Sequence, residues 1–263
     1  MAIKCQRGIG NMVELTLPPK QWLRYLTMLG ENVTDVILHV NQNDISFKIA
    51  YMTHYLSFKE TLPVTSTSTG QLVVSDLSKT NAFLKKCKNN VTIKQGRGNR
   101  LSLQCGSMKM TLPCFDNISS QRVPTFDRLV KASRKNQWQN FGSGTLNVHG
   151  TVNFEEIVKI SSLGKLISSD SNFQIKANAD ENEFVLNAFK RNGASIFASA
   201  TLENAEGPNH TAVSNFGAWL LPCICMIDTN TPAQIHFGDS TVLIIEQTTE
   251  TTEKTVVIID HEE

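Results

Sequence analysis

The chain has 263 residues and a formal net charge of +1, because 25 Lys and Arg residues nearly balance 24 Asp and Glu residues. Apolar residues form 40% of the sequence, which is enough for a hydrophobic core and excludes a disordered chain. A chain of this length fits one large domain or two of about 130 residues. The sequence has no apolar run of ~18–20 residues and no apolar signal-peptide core. We therefore expect an intracellular protein, cytoplasmic or nuclear, with no membrane contact.

Charge is distributed unevenly along the chain. Residues 1–145 contain 19 Lys and Arg and 8 Asp and Glu, a net charge of +11, whereas residues 146–263 contain 6 and 16, a net charge of −10. This polarity predicts an anionic partner such as nucleic acid for the first half. It also suits head-to-tail association, in which the basic half of one copy meets the acidic half of the next. Chance placement of solvated charges is the alternative.

No sequence pattern indicates catalysis or a metal site. The six cysteines lack zinc spacing, so we interpret them as reduced and mostly buried. The six histidines form no metalloprotease motif, and no nucleophile-elbow motif is present. The adjacent Glu155 and Glu156 would point about 100° apart on a helix, so they do not form a facing acid–base pair. We expect no enzyme activity, no metal and no cofactor.

Short strands dominate the first half, with two helices among them. A helix is predicted over 18–29, where apolar residues recur every three or four positions opposite Lys20 and Arg24. A second helix is predicted over 76–88, with a polar side that carries Lys79, Lys85 and Lys86 and with Lys88 near its end. Alternating apolar residues predict strands at 34–41, 44–50, 51–60, 91–95, 101–105 and 108–112.

The second half has the same order of elements. A helix is predicted over 153–164, with Asn153 as its N-cap, and a second helix from 214 to about 221. Strands are predicted at 145–152, 173–178, 183–189, 194–202, 234–237, 241–247 and 255–259. The order strand, helix, three strands, helix, three strands thus occurs twice and indicates an internal duplication. The basic segment between the halves, 113–144, is predicted as either a short helix or an added strand.

Several strings in this order resemble DNA sliding clamps of the proliferating-cell-nuclear-antigen and tailed-phage type. Two strings resemble the basic second helix of a clamp's first domain, namely Ser75-Asp76-Leu77-Ser78-Lys79 and Phe83-Leu84-Lys85-Lys86-Cys87. A third string resembles the first helix of a clamp's second domain, namely Phe154-Glu155-Glu156-Ile157-Val158-Lys159. Met52-Thr53-His54-Tyr55-Leu56 resembles the loop by which a clamp contacts its clients. Residues 256–263 resemble the final strand of a clamp and its acidic tail. The resemblance covers about Val13 to Glu263.

The resemblance implies an α+β protein with the DNA-clamp fold, in which two repeated domains each have two helices packed on antiparallel sheets. It divides the chain into a basic domain at 1–113, a linker at 114–144 and an acidic domain at 145–263. It implies a homotrimeric, six-domain ring around double-stranded DNA. Such a processivity factor tethers a DNA polymerase and other replication proteins, is loaded by a clamp loader, and serves a phage, viral, archaeal or eukaryotic replication system.

A sliding contact must be electrostatic and independent of base sequence, so helix cations are its candidates. The resemblance implies DNA binding by Lys20, Arg24, Lys79, Lys85, Lys86, Lys88, Lys159 and Lys165. An ordinary solvated helix face is the alternative for each of them. Because Glu155 and Glu156 accompany Lys159, and the second helix of that domain has no cation, we expect the first domain to make most phosphate contacts.

The client site of this family is an apolar pocket under the interdomain linker that takes a short partner peptide. The matching positions are His54, Tyr55, Val123, Phe126, Leu129, Ile258, Ile259 and Asp260. The alternative is that Phe126, Leu129 and Val130 only cover the domain junction. Strand edges near 99–110 and 194–202 are expected, by family position, to pair between subunits.

Three other functions stay open at this point. A herpesvirus-like processivity factor would hold DNA through a basic face without closing a ring, and the mass of the assembly separates it from a ring. A β-rich structural protein of a virus or phage particle would bind neither DNA nor polymerase peptides. An enzyme with a double β domain is the third alternative, although no motif indicates one.

Overall fold

The computed structural model describes residues 13–27, 29, 33–51, 53–62, 66, 68–96, 100–114, 122–135, 145–162, 171–190, 195–208, 210–217 and 219–260. The chain forms two compact units. The first comprises Met1–Phe47 and Lys59–Ile118, and the second comprises Lys48–Phe58 and Ser119–Glu263. Within the described residues, no helix is long and apolar enough to cross a membrane.

Among the described residues before the linker, there are two helices and eight strands. In chain order these are β1 (Glu14–Leu17), α1 (Pro19–Thr27), β2 (Val36–Val40), β3 (Asp44–Ala50), β4 (His54–Thr61), β5 (Gly70–Val74), α2 (Leu77–Leu84), β6 (Val91–Gly96), β7 (Arg100–Cys105) and β8 (Met108–Pro113). Strands β1, β6, β7 and β8 form an antiparallel sheet in that order, which places β8 at an edge. Strand β2 pairs with β3 and with β5.

The rest of the chain begins with a helix and then has the same element order as the first part. The elements are α3 (Val123–Ser133), β9 (Val148–Val152), α4 (Glu155–Ser162), β10 (Ser171–Asn178), β11 (Glu183–Lys190), β12 (Ser195–Glu206), β13 (Thr211–Phe216), α5 (Leu220–Ile224), β14 (Ala233–Phe237), β15 (Val242–Thr248) and β16 (Thr252–Ile259). The strand order is β13-β10-β11-β12-β9-β14-β15-β16, and the part of β4 within Lys48–Phe58 follows β16.

Local side-chain contacts explain why the predicted helices begin where they do. The Asp76 carboxylate accepts a hydrogen bond from the Lys79 backbone N–H at 3.1 Å and caps α2. The Asn153 side chain accepts one from the Glu155 N–H at 3.0 Å, just before α4. On α1 the buried Trp22 anchors the helix, since its indole N–H donates to the Val91 carbonyl at 2.9 Å. These three helix predictions are confirmed, with α2 ending at Leu84.

The prediction of a helix from 214 to about 221 was wrong at its start. Residues Thr211–Phe216 form strand β13, which pairs with β10, and α5 is limited to Leu220–Ile224. The alternation of buried Ala212, Ser214 and Phe216 with more exposed neighbours places one side of β13 on the core. The observed repeat is therefore strand, helix, four strands, helix, three strands, with β5 and β13 as the strands that sequence reasoning missed.

The linker contains a helix rather than an added strand. Pro124 lies in the first turn of α3, where a missing N–H leaves no helical hydrogen bond unmade. The buried side chains Phe126 and Leu129 of α3 pack in one apolar cluster with Ala50, Tyr55, Leu146, Val242, Ile244 and Val257. This packing fixes α3 on the sheet of the second unit, where β15 and β16 lie beside β4.

Candidate nucleic-acid and partner interfaces

Helices α1 and α2 contact each other in the first unit and present the cations of the candidate DNA interface. Trp22, Tyr25 and Leu26 of α1 are buried, as are Leu77, Thr80 and Leu84 of α2. The apolar sides of both helices therefore face the core, and their polar sides face solvent.

Four of the predicted DNA-binding cations have exposed side chains with no acidic partner among the described residues. They are Lys20 on α1 and, at or just beyond the end of α2, Lys85, Lys86 and Lys88. A cation near a helix C-terminus interacts favourably with the helix dipole and needs no acidic neighbour for this. Their charge is available for phosphate groups.

Two other cations of this unit already hold carboxylates. Arg24 forms an ion pair with Glu60, whose side chain is only 7% exposed. Lys79 pairs with the N-cap Asp76 at 2.7 Å, and this contact lowers the pKa of Asp76. The assignment of Arg24 and Lys79 to DNA stays a prediction, but their charges are partly compensated within the protein.

Helices α4 and α5 of the second unit offer less positive charge than α1 and α2. Lys159 of α4 lies 3.1 Å from a carboxylate oxygen of Glu155 and 2.6 Å from one of Glu156, and the hydrogen bonds that it donates to these carboxylates raise its pKa. Lys165 lies outside the described residues. On this helix the two acids outnumber the lysine that they surround, as expected from the sequence.

His54 belongs to a cluster of aromatic rings that sequence reasoning only partly found. Its imidazole stacks on Tyr51 and on Trp219, with ring centroids 4.8 Å and 4.5 Å apart. Burial lowers the pKa of His54 to about 4, so the ring is neutral at physiological pH. The sequence did not indicate that Tyr51 and Trp219 belong to this cluster. Trp219 is distant from His54 in sequence and adjoins α5, whose start was predicted wrongly.

Three of the remaining predicted client residues, Tyr55, Phe126 and Leu129, are buried in the α3 cluster, and Ile258 is buried outside it, so none of the four lines an open pocket. Tyr55, Phe126, Leu129 and Ile258 are each at most 3% exposed. The Tyr55 ring stacks on Phe126, and its hydroxyl donates to Asp127 at 2.7 Å. Burial, and then this hydrogen bond, raises the pKa of Tyr55. A peptide could reach Tyr55, Phe126 and Leu129 only if α3 moved, and peptide binding at these residues and at Ile258 stays a prediction.

The other three predicted client positions are partly accessible. Val123 and Ile259 pack against the edge of the same cluster, and Asp260 follows directly. The Asp260 carboxylate accepts a hydrogen bond from the Asn215 N–H at 3.3 Å. The Ile259 N–H donates to the Thr53 carbonyl at 2.8 Å, which holds the end of β16 beside the loop that carries His54.

Among the strands with an unpaired side in the described structure, which include the sheet ends β1, β5 and β13, β8 and β12 carry large exposed apolar side chains. Strand β8 ends the four-stranded sheet of the first unit. In the second unit β12 pairs with β11 through residues 195–201 but joins β9 only from Leu202 onward. Met108 on β8 and Phe197 on β12 are 41% and 74% exposed. Unpaired edges with exposed apolar side chains are the usual sites of strand addition.

No cluster in the described part of the chain suggests chemistry. No group of three or more His, Cys, Asp or Glu side chains there is arranged to hold a metal ion. The buried thiols of Cys87 and Cys223 have pKa values raised to about 12 by burial, so they are protonated and unreactive at neutral pH.

Comparison with known proteins places the fold. No family model matches the sequence, and no curated protein matches it. Among solved structures, A. fulgidus PCNA bound to the C-terminal region of FEN-1 matches with a TM-score of 0.64 and 12% identity, over 95% of this chain and 98% of that one. PCNA from Thermococcus kodakaraensis matches with a TM-score of 0.64 and 14% identity, over 95% and 100%.

A bacterial clamp matches as well, although it is longer. The DNA polymerase sliding clamp from Bacillus subtilis has a TM-score of 0.67 and 10% identity, over 98% of this chain and 67% of that one. The duplicated order of helices and strands agrees with these superpositions. The predicted fold is thereby confirmed: the chain has the α+β fold of the DNA sliding clamps.

Proposed function

We propose that this chain is a DNA polymerase processivity factor, a sliding clamp that encircles duplex DNA and tethers replication proteins to it. The observation that supports this most directly is a clamp fold whose first-unit helices carry exposed cations without acidic partners, namely Lys20, Lys85, Lys86 and Lys88. Lysine side chains contact phosphates without reading bases, which is what sliding requires. No covalent step is needed.

The proposed assembly is a ring of three two-domain chains, with domains at 1–113 and 145–263 joined by the linker 114–144. Pairing of β8 from one copy with β12 of the next would satisfy both open edges and bury Met108 and Phe197. Such a contact is heterologous and closes into a ring by rotation. The net charges of +11 and −10 on the two sequence halves favour it, because the basic half would meet an acidic neighbour.

We assign the attachment of polymerase, clamp loader and other clients to the second unit. The accessible part of this surface consists of Tyr51, Trp219 and the end of β16 at Ile259 and Asp260, and the buried His54 ring stacks on both Tyr51 and Trp219. The complex of A. fulgidus PCNA with the C-terminal region of FEN-1 supports a terminal region of another protein as the type of client. Because α3 covers Phe126 and Leu129, such a region would bind beside α3 or displace it.

Two measurements test the proposal. Light scattering coupled to size exclusion should give about three times the chain mass of 29.2 kDa. Incubation with a nicked circular plasmid and with the same plasmid linearised, followed by gel filtration, should show retention on the circle and loss from the linear form. A monomer at every concentration, or equal retention on both plasmids, would instead indicate a processivity factor that binds DNA without a closed ring.

A further inference from the structure

One side of α3 carries a row of cations that the proposed DNA contact does not use. Arg128, Lys131 and Lys135 are three and four residues apart, so they share one side of the helix and its final turn. All three are exposed. Residues 122–135 include five Lys and Arg but a single acid, Asp127. We call these three residues the basic row.

The carboxylates around α3 are engaged by other groups. Asp127 accepts hydrogen bonds from Lys48 at 2.9 Å and from the Tyr55 hydroxyl at 2.7 Å. Glu246 pairs with Arg134 at 3.1 Å. In the described part of the chain no carboxylate pairs with the basic row, and the hydrogen bond of Arg128 runs to the Thr125 hydroxyl at 3.5 Å. The row therefore has three uncompensated positive charges.

Helix α3 lies across the sheet from α4 and α5. Its cluster includes Val242 and Ile244 of β15 and, among the described residues, no side chain of α4 or α5. Neighbouring residues of a strand point to opposite faces, so the buried Leu243 and Ile245 of β15 face away from α3. Because α5 contacts β16 and is absent from the α3 cluster, α5 belongs to that other face.

We propose that the basic row docks an acidic segment of a client protein. The inference rests on the proposed function, in which α1, α2, α4 and α5 face the duplex. Because α3 lies on the opposite face of its sheet from α4 and α5, DNA phosphates on the duplex side cannot reach the basic row. The anion that binds the row must therefore come from another molecule. From Arg128 to Lys135 the row extends about 10 Å at 1.5 Å per residue. An extended segment of about four residues with acids at alternate positions spans this length.

The expected contact is one of exposed charges. Pairs of this kind contribute to encounter rate and selectivity more than to affinity, and salt weakens them. The row adjoins the surface we assign to clients, since Val123 at the start of α3 and Ile259 at the end of β16 pack on the same cluster. A client with an acidic stretch next to its docking peptide would engage both.

Fluorescence anisotropy with a labelled, end-capped peptide of alternating glutamate and alanine tests the row. Charge reversal by Arg128→Glu, Lys131→Glu and Lys135→Glu should weaken peptide binding by roughly tenfold or more. The charge-conserving variant with Arg128→Lys, Lys131→Arg and Lys135→Arg should bind as the unmodified protein does. Equal binding by the reversed and unmodified proteins would overturn the proposal. The proposal would also be overturned if binding of a labelled single-stranded oligonucleotide required the basic row while binding of the peptide did not. The row would then be a nucleic-acid surface.

A second variant separates this inference from the proposed function. Lys85→Glu with Lys86→Glu should lose retention on circular DNA and keep peptide binding, because these residues lie in the first unit. If the unmodified protein is not retained on circles but the peptide still requires the row, the clamp function is wrong and the acidic-peptide site stands. If circles are retained and the peptide ignores the row, the docking proposal alone fails.

Discussion

The Nδ1 atoms of His149 in β9 and His236 in β14 lie 2.8 Å apart, at a directly paired position of the two strands. One ring must donate and the other accept, so the contact requires at least one neutral imidazole. Beyond His236, Glu246 lies 3.5 Å from the Nε2 atom, and the same carboxylate holds Arg134 just after α3. Contacts between ionisable side chains thus connect β9 with Arg134 at the end of the linker helix α3.

Acid should weaken these contacts through His149. Burial, and then the charge of His236, lowers the pKa of His149 below its ordinary value of 6.5. His149 therefore binds a proton more readily in the unfolded chain than in the folded protein. The stability that neutral His149 contributes is complete above about pH 6.5 and is lost as the pH falls through the folded-state pKa of this residue. His149→Gln keeps a donor and does not titrate. Its melting temperature should fall less than that of the unmodified protein between neutral pH and about pH 5, and an equal fall would contradict the assignment.

His54 should contribute a larger acid-dependent loss. Because burial lowers its pKa to about 4, protonating the unfolded chain between pH 6.5 and pH 4 removes up to about 3 kcal/mol of stability. His54→Phe keeps a ring against Tyr51 and Trp219 but cannot take a proton. Urea unfolding at neutral and acid pH should show a smaller stability difference for this variant. The prediction fails if the two proteins lose the same free energy.

Reversing the exposed cations after α2 should abolish DNA retention and leave the fold intact. Lys85 and Lys86 have no acidic partner in the described structure, so Lys85→Glu and Lys86→Glu break no internal ion pair there. Each lost phosphate contact also lowers the slope of log affinity against log salt by about 0.9. The control Lys85→Arg with Lys86→Arg should behave normally. Retention by the reversed variant, at an unchanged melting temperature, would remove these residues from the interface.

The exposed Phe197 offers a direct test of the subunit contact. Phe197→Asp should shift the assembly toward the mass of a single chain, because it places a charge at the unpaired part of β12. Phe189→Asp is the matched control, since Phe189 is 36% exposed but its strand β11 is paired on both sides by β10 and β12. Light scattering distinguishes the two. Equal dissociation by both variants, or by neither, argues against pairing through β12.

Elements with a local cause were predictable from the sequence. The caps Asp76 and Asn153 and the apolar stripe of α1 act within one or two helical turns, so spacing alone located these helices. Strand β5 was missed because it is fixed by pairing with β2, some thirty residues earlier. At β13 the polar Ser214 suggested a helix start. Its hydroxyl in fact donates to the Gly238 carbonyl at 3.1 Å, a contact that only the tertiary fold creates.

Site residues were predicted by type more reliably than by environment. The lysines near the end of α2 are exposed, as expected, but the pairing of Arg24 with Glu60 depends on a strand 36 residues away. Likewise, the sequence indicated that Phe126 and Leu129 are apolar linker residues and left open whether they line a pocket or cover a core. Their packing against β15 and β16 is decided by the sheet, not by the linker sequence.

The pairing of Lys159 with Glu155 and Glu156 has a consequence for how a duplex would rest in the proposed ring. Going around the hole, three strongly cationic sectors would alternate with three nearly neutral ones, because among α1, α2, α4 and α5 only the first-unit helices α1 and α2 have cations without acidic partners in the described structure. The electrostatic energy of a duplex would then have three equivalent minima away from the axis. Duplex DNA would lie nearer one wall at any moment and move between equivalent positions as it advances, with the rate of these exchanges rising as salt screens the minima.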